Sequence, residues 1–148
     1  MKIFTTRFGS IQIDESKIIE FKSGILGFPK LKKYILLDSN TKSPLKWLQS
    51  IDEPSLAFVI TDPTIFIKDF HYDIFKSDIQ SLGVENLENI LTFVIVTVPD
   101  NPTEMTVNLK GPILINTENN QAKQLVMDDP KYSLKYRLFA EQDMVAYG

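Results

Sequence analysis

Residues 108–116, Asn-Leu-Lys-Gly-Pro-Ile-Leu-Ile-Asn, constrain this chain more than any other stretch. Two apolar, strand-like pieces meet at Gly111-Pro112. Proline fixes φ and has no N–H to give to a ladder, while glycine admits backbone angles that other residues resist. A strand that runs through this tract must pause or change partners there. Elsewhere, short β-branched and aromatic runs alternate with turn signals at fairly regular spacing. That is the pattern of a mostly β chain, a small antiparallel β-barrel built from hairpins with one or two short helices.

Residues 2–8 and 10–14 meet at Gly9, and residues 17–21 follow Glu15-Ser16, which reads as an opening meander. Residues 34–38, 47–51 and 56–61 form a second set. The last two are joined by Asp52-Glu53-Pro54-Ser55, with proline where it presets φ. Residues 90–98 and 104–109 flank Asp100-Asn101-Pro102-Thr103, and residues 113–116 and 121–127 flank Thr117-Glu118-Asn119-Asn120; both read as hairpins. A short helix is expected near residues 77–83, with Ser77 and Gln80 as a reciprocal cap and Gly83 as a left-handed stop. Residues 132–140 carry Leu134, Leu138 and Phe139 at helical spacing, yet the run is brief and suits a last strand equally well. No linker divides the chain, so one domain over residues 1–140 is expected, with residues 141–148 as a loose tail.

With 43% apolar residues, a chain of 148 can bury a core of its own. It has no cysteine, which excludes disulfides and thiolate metal sites. Its N-terminus alternates polar and apolar residues, unlike a secretory leader, and its longest apolar stretch, residues 93–98, is far too short to cross a bilayer. A cytoplasmic protein without membrane attachment is expected. The net charge is −3, and the lysines are spread out apart from Lys30, Lys32 and Lys33. Nucleic-acid binders concentrate positive charge against phosphates, so no direct nucleic-acid partner is expected. A mildly acidic surface suits a basic protein partner.

Little here points to catalysis. The single histidine, His71, lies between aromatic and acidic neighbours with no cysteine available as a nucleophile. Asp128-Asp129-Pro130 reads as a solvated turn, because adjacent carboxylates repel. Gly24 and Gly27 lack the lysine-serine pair and following helix of a phosphate loop. They read instead as a tight turn that places Ile25, Leu26 and Phe28 either in the core or on an apolar docking surface. No catalytic residue, metal or cofactor is expected.

Three tracts together carry a resemblance. They are residues 21–29 (Phe-Lys-Ser-Gly-Ile-Leu-Gly-Phe-Pro), residues 44–50 (Pro-Leu-Lys-Trp-Leu-Gln-Ser) with residues 56–63 (Leu-Ala-Phe-Val-Ile-Thr-Asp-Pro), and residues 108–116. In this order and in a chain of this size they closely resemble the flagellar assembly factor FliW family, from about Met1 to about Leu138. The resemblance implies a small, mostly β protein with two protein partners, flagellin and the RNA-binding translational regulator CsrA. It implies that the free factor binds CsrA, non-competitively with RNA, and stops it silencing flagellin translation, until accumulated flagellin takes the factor away. Such an antagonist must bind one state of its target better than another.

Local chemistry, not the resemblance, supplies the candidate contacts. Alternation on a strand sends Trp47 and Gln49 to one face and Leu48 and Ser50 to the other. Trp47 suits either a core or a binding hot spot. Gln49 and Asn108 are amides that can satisfy strand ends or read a partner's backbone. Phe28, Trp47, Gln49, the loop residues Asp52, Glu53, Asp62 and Pro63, and Asn108, Gly111 and Pro112 at the strand break are the candidate partner-binding residues. The resemblance, through the helical terminal segments of flagellin, implies a groove for an amphipathic helix as one binding mode. Two competing readings are a barrel that holds a small ligand inside, and an oligonucleotide-binding barrel with Lys30, Lys32 and Lys33 on phosphates.

Overall fold

The computed structural model describes residues 1–38, 43–74, 76–83 and 86–139; the tail expected at residues 141–148 lies outside the described residues. Strand β7 (Ile90–Thr97) organises the fold. One of its edges pairs with β6 (Ala57–Thr61), Val59 opposite Val96 and Thr61 opposite Val94. Its other edge serves two strands. β8 (Thr106–Val107) sets Val107 opposite Val96, and β9 (Ile113–Asn116) sets Ile113 opposite Phe93. Two β7 residues, Val94 and Ile95, therefore face five residues, 108–112, of the chain alongside. Pairing pauses at the Gly111-Pro112 break and resumes on the same strand.

Beyond the break the strands close a ring. β9 pairs with β10 (Gln121–Gln124), β10 with β3 (Ile19–Phe21), and β3 with β4 (Lys33–Asp38). β5 (Lys46–Ser50) then joins β4 to β6, completing a seven-stranded barrel. Every neighbouring pair is antiparallel except β3–β10, which is parallel. β8 leaves the ring and carries β11 (Tyr136–Arg137) on its outer edge, which places a strand within residues 132–140.

Alternation along each strand decides what the ring encloses. Ile19, Phe21, Ile25, Tyr34, Leu48, Ile60, Phe93, Ile113, Ile115 and Ala122 form one buried cluster, with Leu36, Phe58 and Ile95 packed against it. The interior is filled by side chains, so the space a ligand-holding barrel requires is taken. Phe66 packs outside it, with ring centroids 6.0 Å from Phe139.

The outer faces are covered in sections. Ile3, Ile11 and Ile13 from the hairpin of β1 (Lys2–Thr5) and β2 (Gly9–Gln12) pack on Ile35 and Leu37. Helix α1 (Pro63–Phe66) and the chain from Tyr132 to Phe139 cover Val94, Val96 and Val107. Helix α2 (Lys76–Gln80) contributes Ile79, which with Leu82 covers Leu114.

Two local expectations change. The opening meander stops after β2, because Asp14 caps a 3₁₀ turn (Glu15–Lys17), accepting from Ser16 N at 2.9 Å and Ser16 Oγ at 2.6 Å, and the chain leaves for the ring. Helix α2 opens at Lys76, so Ser77 lies inside its first turn rather than capping it, whereas Gly83 supplies the left-handed stop at φ +67.

The turn at residues 24–29 divides its apolar residues. Gly24 holds φ +67, and a Cβ there would lie 2.5 Å from Phe28 O. That geometry sends Ile25 into the core at 1% exposure and leaves Leu26 75% exposed. Phe28, 38% exposed, lays its ring edge-on to Phe58 with centroids 5.6 Å apart. Ile25→Ala is expected to cost about 3 kcal/mol in denaturant unfolding and Leu26→Ala less than about 0.5, because only the first opens a cavity. Equal losses at the two positions would contradict this division.

Among the described residues Tyr34 Oη, buried in the barrel, has no hydrogen-bond partner, and burial pushes its pKa up to about 12. An unsatisfied hydroxyl costs about 1–3 kcal/mol, so Tyr34→Phe is expected to leave stability equal or raise it by about 1 kcal/mol. Because the folded pKa is the higher one, Tyr34 takes stability away as pH rises from about 10 through about 12, and the phenylalanine variant should lose less over that window. Urea midpoints of both proteins at neutral and alkaline pH check each point.

Candidate docking surface

Trp47 stands on the outer face of β5, in a row that crosses the sheet through Val59 and Val96 to Val107. The hairpin turn at residues 5–9 leans over it. Buried Thr5 shapes that turn, its Oγ donating to Gly9 O at 2.9 Å and accepting from Phe8 N at 2.8 Å. Thr6 N donates to Pro54 O at 2.9 Å and ties the turn to the β5–β6 connection. Phe8 then meets Trp47 edge-on, centroids 5.6 Å apart, and the Arg7 guanidinium sits 4.4 Å from the Trp47 ring centre. Leu45, Ala57, Val59, Val96 and Val98 complete an apolar groove of about 570 Å³, with Val98 half exposed at its rim.

A smaller hollow of about 330 Å³ adjoins it, lined by Thr6, Arg7, Gln49, Pro54, Ser55 and Ala57, so that Arg7 and Ala57 border both. Gln49 is fully buried. Its amide donates to Ser50 O, Leu56 O and Pro54 O at 3.0, 3.1 and 3.3 Å, which holds the β5–β6 turn, and its Oε1 has no partner among the described residues.

A third hollow, about 350 Å³, differs in charge. Asp73, Asp78, Asp128 and Asp129 surround Leu125, Val126, Met127 and Tyr132. Lys131 Nζ bonds Asp73 at 2.6 Å, which holds the Asp73 carboxyl below and the Lys131 ammonium above their ordinary values. Burial pushes the neighbouring Tyr72 phenol up, and its hydroxyl donates to Leu109 O at 2.7 Å. His71 is exposed, 3.9 Å from Asp73.

At the strand break, Gln124 links two loops. Its Oε1 accepts from Leu26 N at 2.8 Å and its Nε2 donates to Gly111 O at 3.0 Å. Gly111 does not occupy the left-handed region, contrary to the reason expected for a glycine there. It is needed for close approach: a Cβ would meet Gln124 Nε2 at 2.7 Å and Asn108 Nδ2 at 3.1 Å.

A family model described as FliW protein matches residues 2–138. The chain belongs to the FliW family. It is 42% identical to the flagellar assembly factor FliW of Caldanaerobacter subterraneus subsp. tengcongensis over 142 residues, 95% of each chain. The FliW of Treponema denticola is 38% identical over 95% of each. A crystal structure of the flagellar assembly factor FliW superposes with a TM-score of 0.88 at 33% identity, covering 96% of this chain and 99% of that one.

Within this FliW-family chain the candidates read from sequence are dispersed. Phe28 and Trp47 are not brought together: Phe28 packs on Phe58, which turns toward the barrel interior, whereas Trp47 stands on the outer face. Asp52 and Glu53 are exposed on the β5–β6 turn, where Glu53 N bonds Ser50 Oγ at 3.0 Å. Asp62 caps α1, accepting from Thr64 N at 2.9 Å and Thr64 Oγ at 2.7 Å, and Pro63 is buried at the first helical position. Asn108 Oδ1 accepts from Lys110 N at 3.0 Å and shapes the break. Gln49, Gly111 and Pro112 are buried. Arg7, Phe8, Val59, Val96 and Val98 were not candidates. Alternation along β6 and β7 signals the valines, whereas the reach of Arg7 across to Trp47 is a tertiary contact with no local signal.

Gly111→Ala should displace Gln124 and lose about 1–2 kcal/mol through its two hydrogen bonds. Faster hydrogen exchange at the Leu26 amide would accompany that loss, and an unchanged rate would contradict the linkage.

Proposed function

We propose that this chain is a protein-binding regulator of flagellar assembly. It holds flagellin and the translational regulator CsrA in turn, and by binding CsrA non-competitively with RNA it relieves repression of flagellin translation; it carries out no catalysis. Membership of the FliW family supports the flagellar role, and the partners are those the sequence resemblance implies. The observation that carries a binding role is the position of Trp47. A barrel that fills its interior with its own side chains leaves recognition to its surface, and the apolar groove around Trp47 lies there with Arg7 on its ring. Tryptophan and arginine are the residues most enriched where binding energy concentrates.

The test is isothermal titration of the purified chain with its own organism's flagellin monomer and, separately, with its CsrA, followed by competition between the two. Binding of both, with flagellin displacing CsrA, is expected. Trp47→Ala should weaken binding of at least one partner tenfold or more, about 1.4 kcal/mol, whereas Leu87→Ala, at an exposed apolar residue lining none of these hollows, should stay within about twofold. Binding of neither protein would overturn the proposal.

A further inference from the structure

We infer that the Trp47 groove takes an apolar segment of a partner protein that carries a carboxylate, and that Arg7 selects it. This rests on the protein-binding reading above and names the chemistry of the occupant. Arg7 is exposed at the tip of the β1–β2 hairpin, at the border of the apolar groove and the smaller hollow. Among the described residues it has no salt bridge and no hydrogen bond; its one contact of this kind is with the face of Trp47. A guanidinium stacked on an aromatic ring is fixed in orientation while its N–H donors stay available, the arrangement that suits a bidentate carboxylate.

The rest of the lining sharpens that choice. Leu45, Trp47, Ala57, Val59, Val96 and Val98 offer no charge, and among the described residues no aspartate or glutamate lines either hollow, although the chain as a whole carries −3. Apolar side chains of an occupant would cover this surface, and its carboxylate would find Arg7, the cation that borders it among the described residues. A basic segment is better served by the separate hollow with four aspartates, which shares no lining residue with this one. The two surfaces thus differ in the sign of the partner they fit.

Trp47 is the only tryptophan in the chain, so its emission reports on this groove alone. The probes are two synthetic amphipathic peptides of 18 residues with identical leucines at helical spacing, one flanking them with glutamates and the other with lysines. Each is titrated into the full chain and into Arg7→Glu. The glutamate peptide is expected to shift Trp47 emission at a concentration at least tenfold below the lysine peptide, and Arg7→Glu should reverse that order. A Trp47 response indifferent to peptide charge, an order unchanged in Arg7→Glu, or no response to either peptide would each overturn the inference. Circular dichroism of Arg7→Glu confirms that it folds, and Arg7→Gln, which should abolish the preference without reversing it, tests the same point without adding a charge. Titration of the same preparation with flagellin separates the two levels: flagellin binding with no peptide preference rejects the acidic occupant and leaves the protein-binding reading standing.

Discussion

One strand edge used twice holds this structure together. β7 accepts β8 on the last part of its edge and β9 on the first part, and the extra residues between them, including Gly111 and Pro112, are looped out. Because pairing resumes on the same strand, β9 enters the ring while β8 is free to carry β11 away from it. Proline at this position gives up no ladder bond that the strand needs, and glycine gives Gln124 room to reach across to the loop at residues 24–29. A continuous strand in place of the break would keep β8 and β9 on one course and remove both effects.

From that closure the surface follows. Once the ring is shut, its inward residues fill it, and every outward residue needs a cover or meets solvent. The hairpin, the two helices and the chain leading to Phe139 cover most of that outer face. Trp47 and Val59, in the row that ends at buried Val96, are covered only in part, by the tip of the hairpin at Arg7 and Phe8. Recognition at this groove would therefore depend on a turn set by Thr5, which places the cation against the ring.

Much of this was legible in the sequence, for identifiable reasons. Residues 34–38, 47–51, 56–61, 90–98 and 113–116 read as strands because alternation and turn residues agree there, and β4, β5, β6, β7 and β9 occupy those places. The parallel closure of β3 on β10 was not legible, since it joins segments about a hundred residues apart with no local signal. Asp62-Pro63 reads as a loop, yet an acceptor followed by proline at the first turn is a helix start, and it opens α1. Gln49 looked available to a partner because an amide's hydrogen bonds cannot be counted from sequence; three carbonyls of the neighbouring turn claim it. The Trp47 face was predictable from strand period, and its pairing with Arg7 was not.

Hydrogen exchange of the chain, free and saturated with flagellin, tests the location of recognition most directly. Slowed exchange at residues 6–8, 43–45 and 98–100, around the Trp47 groove, with no change at residues 125–132, is the predicted footprint. Protection confined to residues 73–78 and 125–132, with the hairpin tip unaffected, would contradict it and move recognition of flagellin to the acidic hollow.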